Sequence, residues 1–433
     1  MSRPNMLYIH SHDTGRYVQP YGHAIATPNL QDLAEQGVLF RQAFSVAPTC
    51  SPSRAGLLTG QCAHSSGMIG LAHRGFPLHD YNQHIVHTLR KAGYSSTLIG
   101  VQHVARDASV IGYDQVIPTE SRRVAHIAPA TARFLESAPE EPFFLSVGFA
   151  ETHRAFHQAE PGENPRYCLP PSPLPDTPET RRDMAAFKVS ARILDEGIGA
   201  VLLALESGNL RDNTLVICTT DHGIAFPGMK CNLTDHGIGV MLIMSGPGVF
   251  EGGRVCDALV SHVDIFPTIC ELLEIERPSW LQGNSIMPLI RGEIDAINDE
   301  IFAEVTYHAA YEPQRAVRTQ RYKYIRRFDD RTGPVLPNCD DSPSKDLWLR
   351  YGWSQRRPSL EQLYDLVFDP NETGNLVDDP SAADLLEAMR RRLDRWMHET
   401  DDPLLGGPVP APKGARVNDP NGLSPRETAR VVT

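Results

Sequence analysis

The sequence predicts an α/β fold, with a mainly parallel central sheet flanked by helices and a smaller C-terminal α+β subdomain containing an antiparallel sheet. Three observations predict it. Short, continuously apolar runs recur between residues 6 and 248, as strands buried on both faces require. Segments with the i, i+3, i+4 spacing of amphipathic helices separate those runs. The last third then changes texture and alternates basic with apolar or aromatic residues, the pattern of an antiparallel strand with one solvated face.

Taken in order, MLYIH (6–10) opens the first strand, and TPNLQDLAEQGVLF after it sets Leu30, Leu33 and Ala34 on one helical stripe. The helix-like HIVHTLRKAG leads into the strand SSTLIG (95–100), and TARFLESA leads into PFFLSVGFA (142–150). A long helix from about Asp183 to Glu206 carries Ile193, Ile198, Val201 and Leu202 on one stripe and precedes the strand TLVICTTD (214–221). VMLIMSGPG (240–248) ends in a Gly-Pro turn. Further on, RAVRTQRYKYIRRF (315–328) is the alternating, hairpin-type strand, and residues 329–360 are polar and turn-rich. A helix follows at about Ala382 to Glu399, and the Pro/Gly-rich tail from Pro403 is expected to be loosely held. The change of texture divides the chain into 1–295 and 296–433. In parallel sheets of this kind ligands bind beyond the carboxyl ends of the strands, and most of the unusual polar residues fall there.

Composition narrows the function classes. The chain has 433 residues, with 41 Lys+Arg against 53 Asp+Glu and a formal net charge of −12. That acidic balance argues against nucleic-acid and anionic-membrane partners while leaving room for a local basic pocket. No apolar run approaches the roughly 18 residues of a membrane span, and MSRPNMLYIHSHD shows no secretory signal. The eight cysteines (50, 62, 168, 218, 231, 256, 270 and 339) form no CxxC pair, and several lie in apolar runs, so free thiols in a reduced, cytoplasmic setting are expected.

The densest chemistry lies in PTCSPSRAGLLTG (48–60). Cys50 precedes what reads as a helix beginning after Pro52, and a helix N-terminus offers free N–H groups and a positive dipole end to an anion. Arg54, one turn on, can pair with both. On these grounds alone the segment also fits a buried cysteine before a proline-started helix. Cys50-Ser51-Pro52-Ser53-Arg54 with Leu58-Thr59-Gly60, however, resembles the signature C-x-P-S-R…T-G of the sulfatase family. The resemblance runs nearly the full length, through RPNMLYIHSHDTG, PFFLSVGFAETHRAF, TLVICTTDHG and LYDLVFDPNETGNL (363–376). Within the family, CSPSRAGLLTG, DHGIAFP and WMHETDDP look most like the sulfamidase branch.

The resemblance implies an alkaline-phosphatase-like fold and a hydrolase that cleaves a sulfate ester or a sulfamate of the N-sulfoglucosamine kind. It implies that Cys50 is oxidised to formylglycine, the nucleophile, by a formylglycine-generating enzyme. Arg54, His103, His153 and Lys230 take the places of residues that bind and protonate, with Arg154 and His308 as further candidates to touch substrate. Asp13, Asp221 and His222, at the ends of two strands expected to be neighbours, converge with His12 and Cys50 on one divalent metal, whose role would be to polarise sulfur. The expected partner is a small sulfated molecule, an amino sugar by this reading, and a homodimer is allowed.

Two departures bear on the metal and on the reaction. The family opens its metal site with adjacent aspartates, whereas this chain has His12-Asp13, and Val101 replaces the lysine before the first histidine. An imidazole in place of a carboxylate makes the site softer, so manganese or zinc competes with calcium. His153 and His157, four apart after Glu151, would share a helical face and invite a second metal. A phosphate or phosphonate ester hydrolase with two metals is therefore the alternative, and a catalytically inactive binding protein a third reading. Asp235-His236 in the TDHG at 234–237 reads as a solvated loop, and Tyr307 and His308 either face a sugar or lie on a hairpin surface.

Overall fold

The two runs MLYIH and TLVICTT become the buried centre of the molecule. The computed structural model describes residues 3–159 and 163–433. Its strands are, in chain order, β1 (Asn5–Ser11), β2 (Val38–Phe40), β3 (Ala43–Phe44), β4 (Ser95–Gly100), β5 (Gln115–Ile117), β6 (Phe143–Gly148), β7 (Thr214–Thr220), β8 (Leu242–Ser245), β9 (Arg254–Cys256) and β10 (Val260–Ser261). All but β3 and β10 form one eight-stranded sheet in the order β5-β4-β6-β1-β7-β8-β2-β9. Its pairs are parallel except those of β8, which runs antiparallel to both β7 and β2.

Alternation along the strands explains why helices cover both faces. Met6, Tyr8, Phe144, Leu215 and Ile217 pack toward the helices Cys50–Thr59, Ile85–Lys91 and Ile265–Leu272. Leu7, Ile9, Leu145, Val147 and Val216 pack toward Pro28–Gln36, Val124–Glu136 and Pro178–Ser207. The long helix starts earlier than its apolar stripe suggests, because Thr177 and Thr180 form a capping box before it. Among the described residues no helix is long and apolar enough to cross a membrane.

The alternating stretch 315–328 is not one strand. A turn divides it, giving β12 (Tyr311–Thr319) and β13 (Tyr322–Arg327), which join β11 (Glu300–Tyr307) and β14 (Glu361–Asp365) in an antiparallel sheet of order β11-β12-β13-β14. The helix Ala383–Glu399 covers it through Met389, Leu393 and Trp396, against Val317, Tyr324 and Leu363. Two expectations for this region are corrected. The polar segment 329–360 contains the helix Pro343–Arg350, started by Pro343 and capped by Ser342, whose hydroxyl accepts from Lys345 N at 3.1 Å. The tail is docked rather than loose, since Ala415, Val417 and Asn418 are buried and Asn418 N donates to the Ala309 carbonyl at 2.8 Å.

Asp235 is also not solvated. It lies 2.5 Å from Lys323 Nζ and 3.1 Å from Arg318 Nη2, and so joins the large sheet's loops to the C-terminal sheet. Burial works against its charge, but Lys323 and Arg318 hold the carboxyl well below the usual range. Its stabilising effect is therefore present above pH ~4 and fades as the pH falls below it. Asp235→Ala is expected to cost about 3 kcal/mol at neutral pH by leaving buried cations underpaired. Urea unfolding of the variant should also lose part of the wild type's acid sensitivity.

Candidate active site

Four adjacent parallel strands deliver the site from their carboxyl ends: β1 leads to His12 and Asp13, β7 to Asp221 and His222, β6 to His153, and β4 to His103. The β1–β7 register, with Ser11 opposite Thr220, sets the two aspartates side by side, and Asp13 N donates to Asp221 Oδ1 at 2.8 Å. Asp13 and His103 both have positive φ, 52° and 55°, so each turns sharply off its strand. Gly148 lets the ends of β4 and β6 close up, because a Cβ there would overlap the Val101 carbonyl and crowd the His10 ring.

Cys50 is the first residue of the helix Cys50–Thr59 and is 2% exposed. Its Sγ lies 3.4 Å from His222 Nε2. Burial pushes the thiol well above its ordinary pKa, and the cations Lys230 and Arg54 only partly oppose this. One turn on, Arg54 donates from Nη2 to Asp221 Oδ2 at 3.0 Å and to the Ser11 carbonyl at 2.8 Å, while Nη1 contacts His10 Nδ1.

The acceptors around Cys50 fit a divalent cation. His222 Nδ1–H donates to the Gly223 carbonyl at 2.9 Å, which leaves Nε2 a lone pair facing Asp13 Oδ1 at 3.3 Å. Asp13 Oδ1 is buried and has no hydrogen-bond partner. His12 Nδ1 stands 3.1 Å from Asp221 Oδ2, and the donors of His12, Asp13, Cys50 and Asp221 all lie within 4.8 Å of one another. Burial, then the nearby Arg54 charge, lower His12 to about 4, so its ring is neutral and able to ligate at neutral pH. Two carboxylates and two imidazoles match the mixed N/O preference of manganese or zinc better than the all-oxygen shell of calcium.

A second layer closes the other side. Lys230 Nζ donates to Asp13 Oδ2 at 2.9 Å and to Asp340 Oδ2 at 3.0 Å, and stands 3.4 Å from His153 Nε2. Burial opposes its charge, but Asp13 and Asp340 raise it well above its ordinary pKa, so it stays cationic. The His153 side chain, 39% exposed, stands at the open edge, with Nδ1–H donating to the Arg154 carbonyl. His103 is fixed by a 2.7 Å hydrogen bond between its Nε2 and His73 Nδ1. His308 is buried rather than on a hairpin surface, and burial with the Lys230 charge keeps it well below its ordinary pKa.

Some candidates stand apart. Arg154 is held by Asp183 through two bonds of 2.7 and 2.8 Å, donates from Nε to the Ala225 carbonyl, and stacks on Phe156, so its side chain braces the loop. The segment after Glu151 is a series of turns, not a helix, so His153 and His157 do not share a face. His157 Nε2 turns to Glu151 Oε1 at 3.3 Å, and Glu151 Oε2 accepts from Val124 N at the start of the preceding helix Val124–Glu136. Sequence reasoning missed His10, His73 and Asp340. His10 shares its strand face with His12, a period-two signal that was available. Asp340 lies in a loop and His73 in the one-turn helix Ala72–Arg74, and neither carries a local signal.

A buried cysteine at a helix start thus stands beside two aspartates at neighbouring strand ends, at the carboxyl edge of a mainly parallel sheet. The profile of the Sulfatase family matches residues 4–275, and that of N-sulphoglucosamine sulphohydrolase, C-terminal, matches residues 229–345. The chain belongs to the sulfatase family and is a sulfuric ester hydrolase by class. It is 31% identical to N-sulphoglucosamine sulphohydrolase of Homo sapiens, over 94% of this chain and 92% of that protein. Its fold is similar to that of BT4656, solved in complex with its substrate D-glucosamine-2-N,6-O-disulfate, at TM-score 0.74 and 18% identity over 94% of this chain and 99% of that one. It is also similar to the phosphonate monoester hydrolase of Agrobacterium radiobacter, at TM-score 0.71 and 21% identity over 92% and 96%.

Proposed function

We propose that the protein hydrolyses the sulfamate, or a sulfate ester, of a small amino sugar of the N-sulfoglucosamine type, using an aldehyde derived from Cys50 and one divalent ion. The observation that carries this reading is Cys50 itself, intact in its CSPSR context, buried at a helix start and held as a poor thiolate. As a thiol it is ill suited to attack, whereas as formylglycine hydrate it would supply one hydroxyl to attack sulfur and a second to release sulfate by elimination. The similarity to the human sulphohydrolase supports the sulfamate and the amino sugar.

The ion would be held by Asp13, Asp221, His222 and His12, and would supply Lewis-acid polarisation of the sulfuryl group. The chain's own residues do the rest. Arg54 and Lys230 keep fixed positive charge around position 50, where negative charge builds up on the sulfuryl oxygens. His153, at the open edge, would carry the proton to the departing nitrogen or oxygen. Asp340 orients Lys230. The missing lysine at Val101 leaves Arg54 and Lys230 to carry that charge.

Peptide mass spectrometry across Cys50, on protein co-produced with a formylglycine-generating enzyme, tests the reading. Conversion lowers the mass by about 18 Da, the exchange of a thiol for an aldehyde. N-sulfoglucosamine should then be turned over and a phosphonate monoester should not. The fold shared with the phosphonate hydrolase, together with His12 and Val101, favours phospho-ester chemistry as the second reading. An unconverted Cys50 with phosphonate turnover would establish that reading instead.

A further inference from the structure

A second cluster of metal-binding groups lies outside this site, where the loop after the Cys50 helix meets the C-terminal sheet. Cys62, His64 and Glu304 are all buried, and their donor atoms lie within 4.8 Å of one another. His64 Nδ1 is 2.9 Å from Glu304 Oε1 and 3.8 Å from Cys62 Sγ, and Asp402 Oδ2 is 3.7 Å from the same nitrogen. Tetrahedral zinc with ordinary bond lengths would set nitrogen and carboxylate oxygen about 3.3 Å apart, and sulfur and nitrogen about 3.6 Å apart. Shifts of a few tenths of an ångström would bring these groups to that geometry.

Charge is compatible with the same occupant. Glu304 and Asp402 bring two negative charges into the interior, and Arg315, fully buried, brings one positive charge against both, 3.2 Å from Glu304 and 2.5 Å from Asp402. A dication bound by a Cys62 thiolate and a neutral His64 keeps the sum at zero, as a protonated His64 beside a Cys62 thiol does without it, so zinc would take the place of two protons. The supporting elements are rigid: Glu304 sits in β11, and the His64 ring packs edge-on to Trp396, which stacks on Phe302.

We propose that Cys62, His64 and Glu304 form a structural zinc site, with Asp402 as the fourth ligand, that ties the loop following the nucleophile helix to the C-terminal sheet. One sulfur, one nitrogen and two carboxylates are a donor set for zinc rather than for calcium or magnesium. The site takes no part in the reaction, so its test needs no turnover and its failure leaves the sulfatase reading untouched.

Cobalt(II) reports the thiolate directly. In the Cys50→Ala variant, which removes the active-site thiol, cobalt chloride alone should produce a near-ultraviolet sulfur-to-cobalt charge-transfer band that zinc displaces, a cobalt ion in the active site contributing none because no sulfur remains there. Cys50→Ala/Cys62→Ser should lose the band while keeping its far-ultraviolet dichroism. Glu304→Gln in the Cys50→Ala background keeps the thiol, and should lower the apparent cobalt affinity at least about tenfold. A folded Cys50→Ala protein that shows no band overturns the proposal, and so does a band that survives Cys62→Ser.

Discussion

Replacing Cys50 by alanine is expected to lower kcat/KM for N-sulfoglucosamine by at least about a thousandfold while leaving the fold intact, because the nucleophile goes and the helix start does not. The side chain is small and buried, and its sulfur makes one polar contact, to His222 Nε2, so thermal stability should change little. Cys50→Ser is the sharper probe. A serine hydroxyl placed at the same helix start can attack once, but it has no second hydroxyl with which to expel sulfate. The serine variant should therefore release at most one equivalent of amine per chain in a burst and then stop. Steady turnover by Cys50→Ser would mean that the aldehyde is not needed, and would point to phosphatase-like chemistry.

Asp221→Ala should have the next largest effect, and on stability as well as activity. Both of its oxygens are engaged: Oδ2 by Arg54 and His12, and Oδ1 by the backbone N–H groups of Asp13 and His222. Removing it strands a buried guanidinium, and the loss of one partner of a buried pair costs about 3–5 kcal/mol. Asp221→Asn keeps the shape and most of the hydrogen bonds but discards the charge. It should retain more stability than the alanine variant, yet bind the divalent ion and turn over substrate at least about a hundredfold more weakly. Calorimetry and metal analysis of the two variants separate the roles. Equal metal content in wild type and Asp221→Asn would remove Asp221 from the ligand set.

Much of this architecture could be read from the chain because its signals are local. β1 and β7 are continuous apolar runs, so their burial on both faces, and hence a parallel sheet, follows from composition alone. The residues directly after them are then at the site whatever the loops do, which is why Asp13, Asp221 and His222 were found. What stayed hidden comes from tertiary context. Asp340 reaches Lys230 only because the C-terminal subdomain folds back over the strand ends. Arg154 looked free to bind an anion until the long helix Pro178–Ser207 supplied Asp183. His157 depended on a helix that turns replace, and the helix at Pro343 is short and polar enough to read as loop.

The depth at which Cys50 sits has a consequence for how the protein is made. In the finished fold the residue is 2% exposed and locked into the first turn of a helix, so no second enzyme could seat the CSPSR segment in an extended groove. Any enzymatic oxidation of that sulfur belongs to the interval between synthesis and folding, while the segment is still a flexible peptide. Because residue 50 emerges before Asp340, Glu304 and the docked tail that complete the fold around it, that interval lasts at least as long as their synthesis. On the reading proposed above, the active fraction of a preparation should therefore depend on how quickly the chain folds relative to a formylglycine-generating enzyme. A host short of that partner would yield correctly folded protein that cannot be activated afterwards without unfolding.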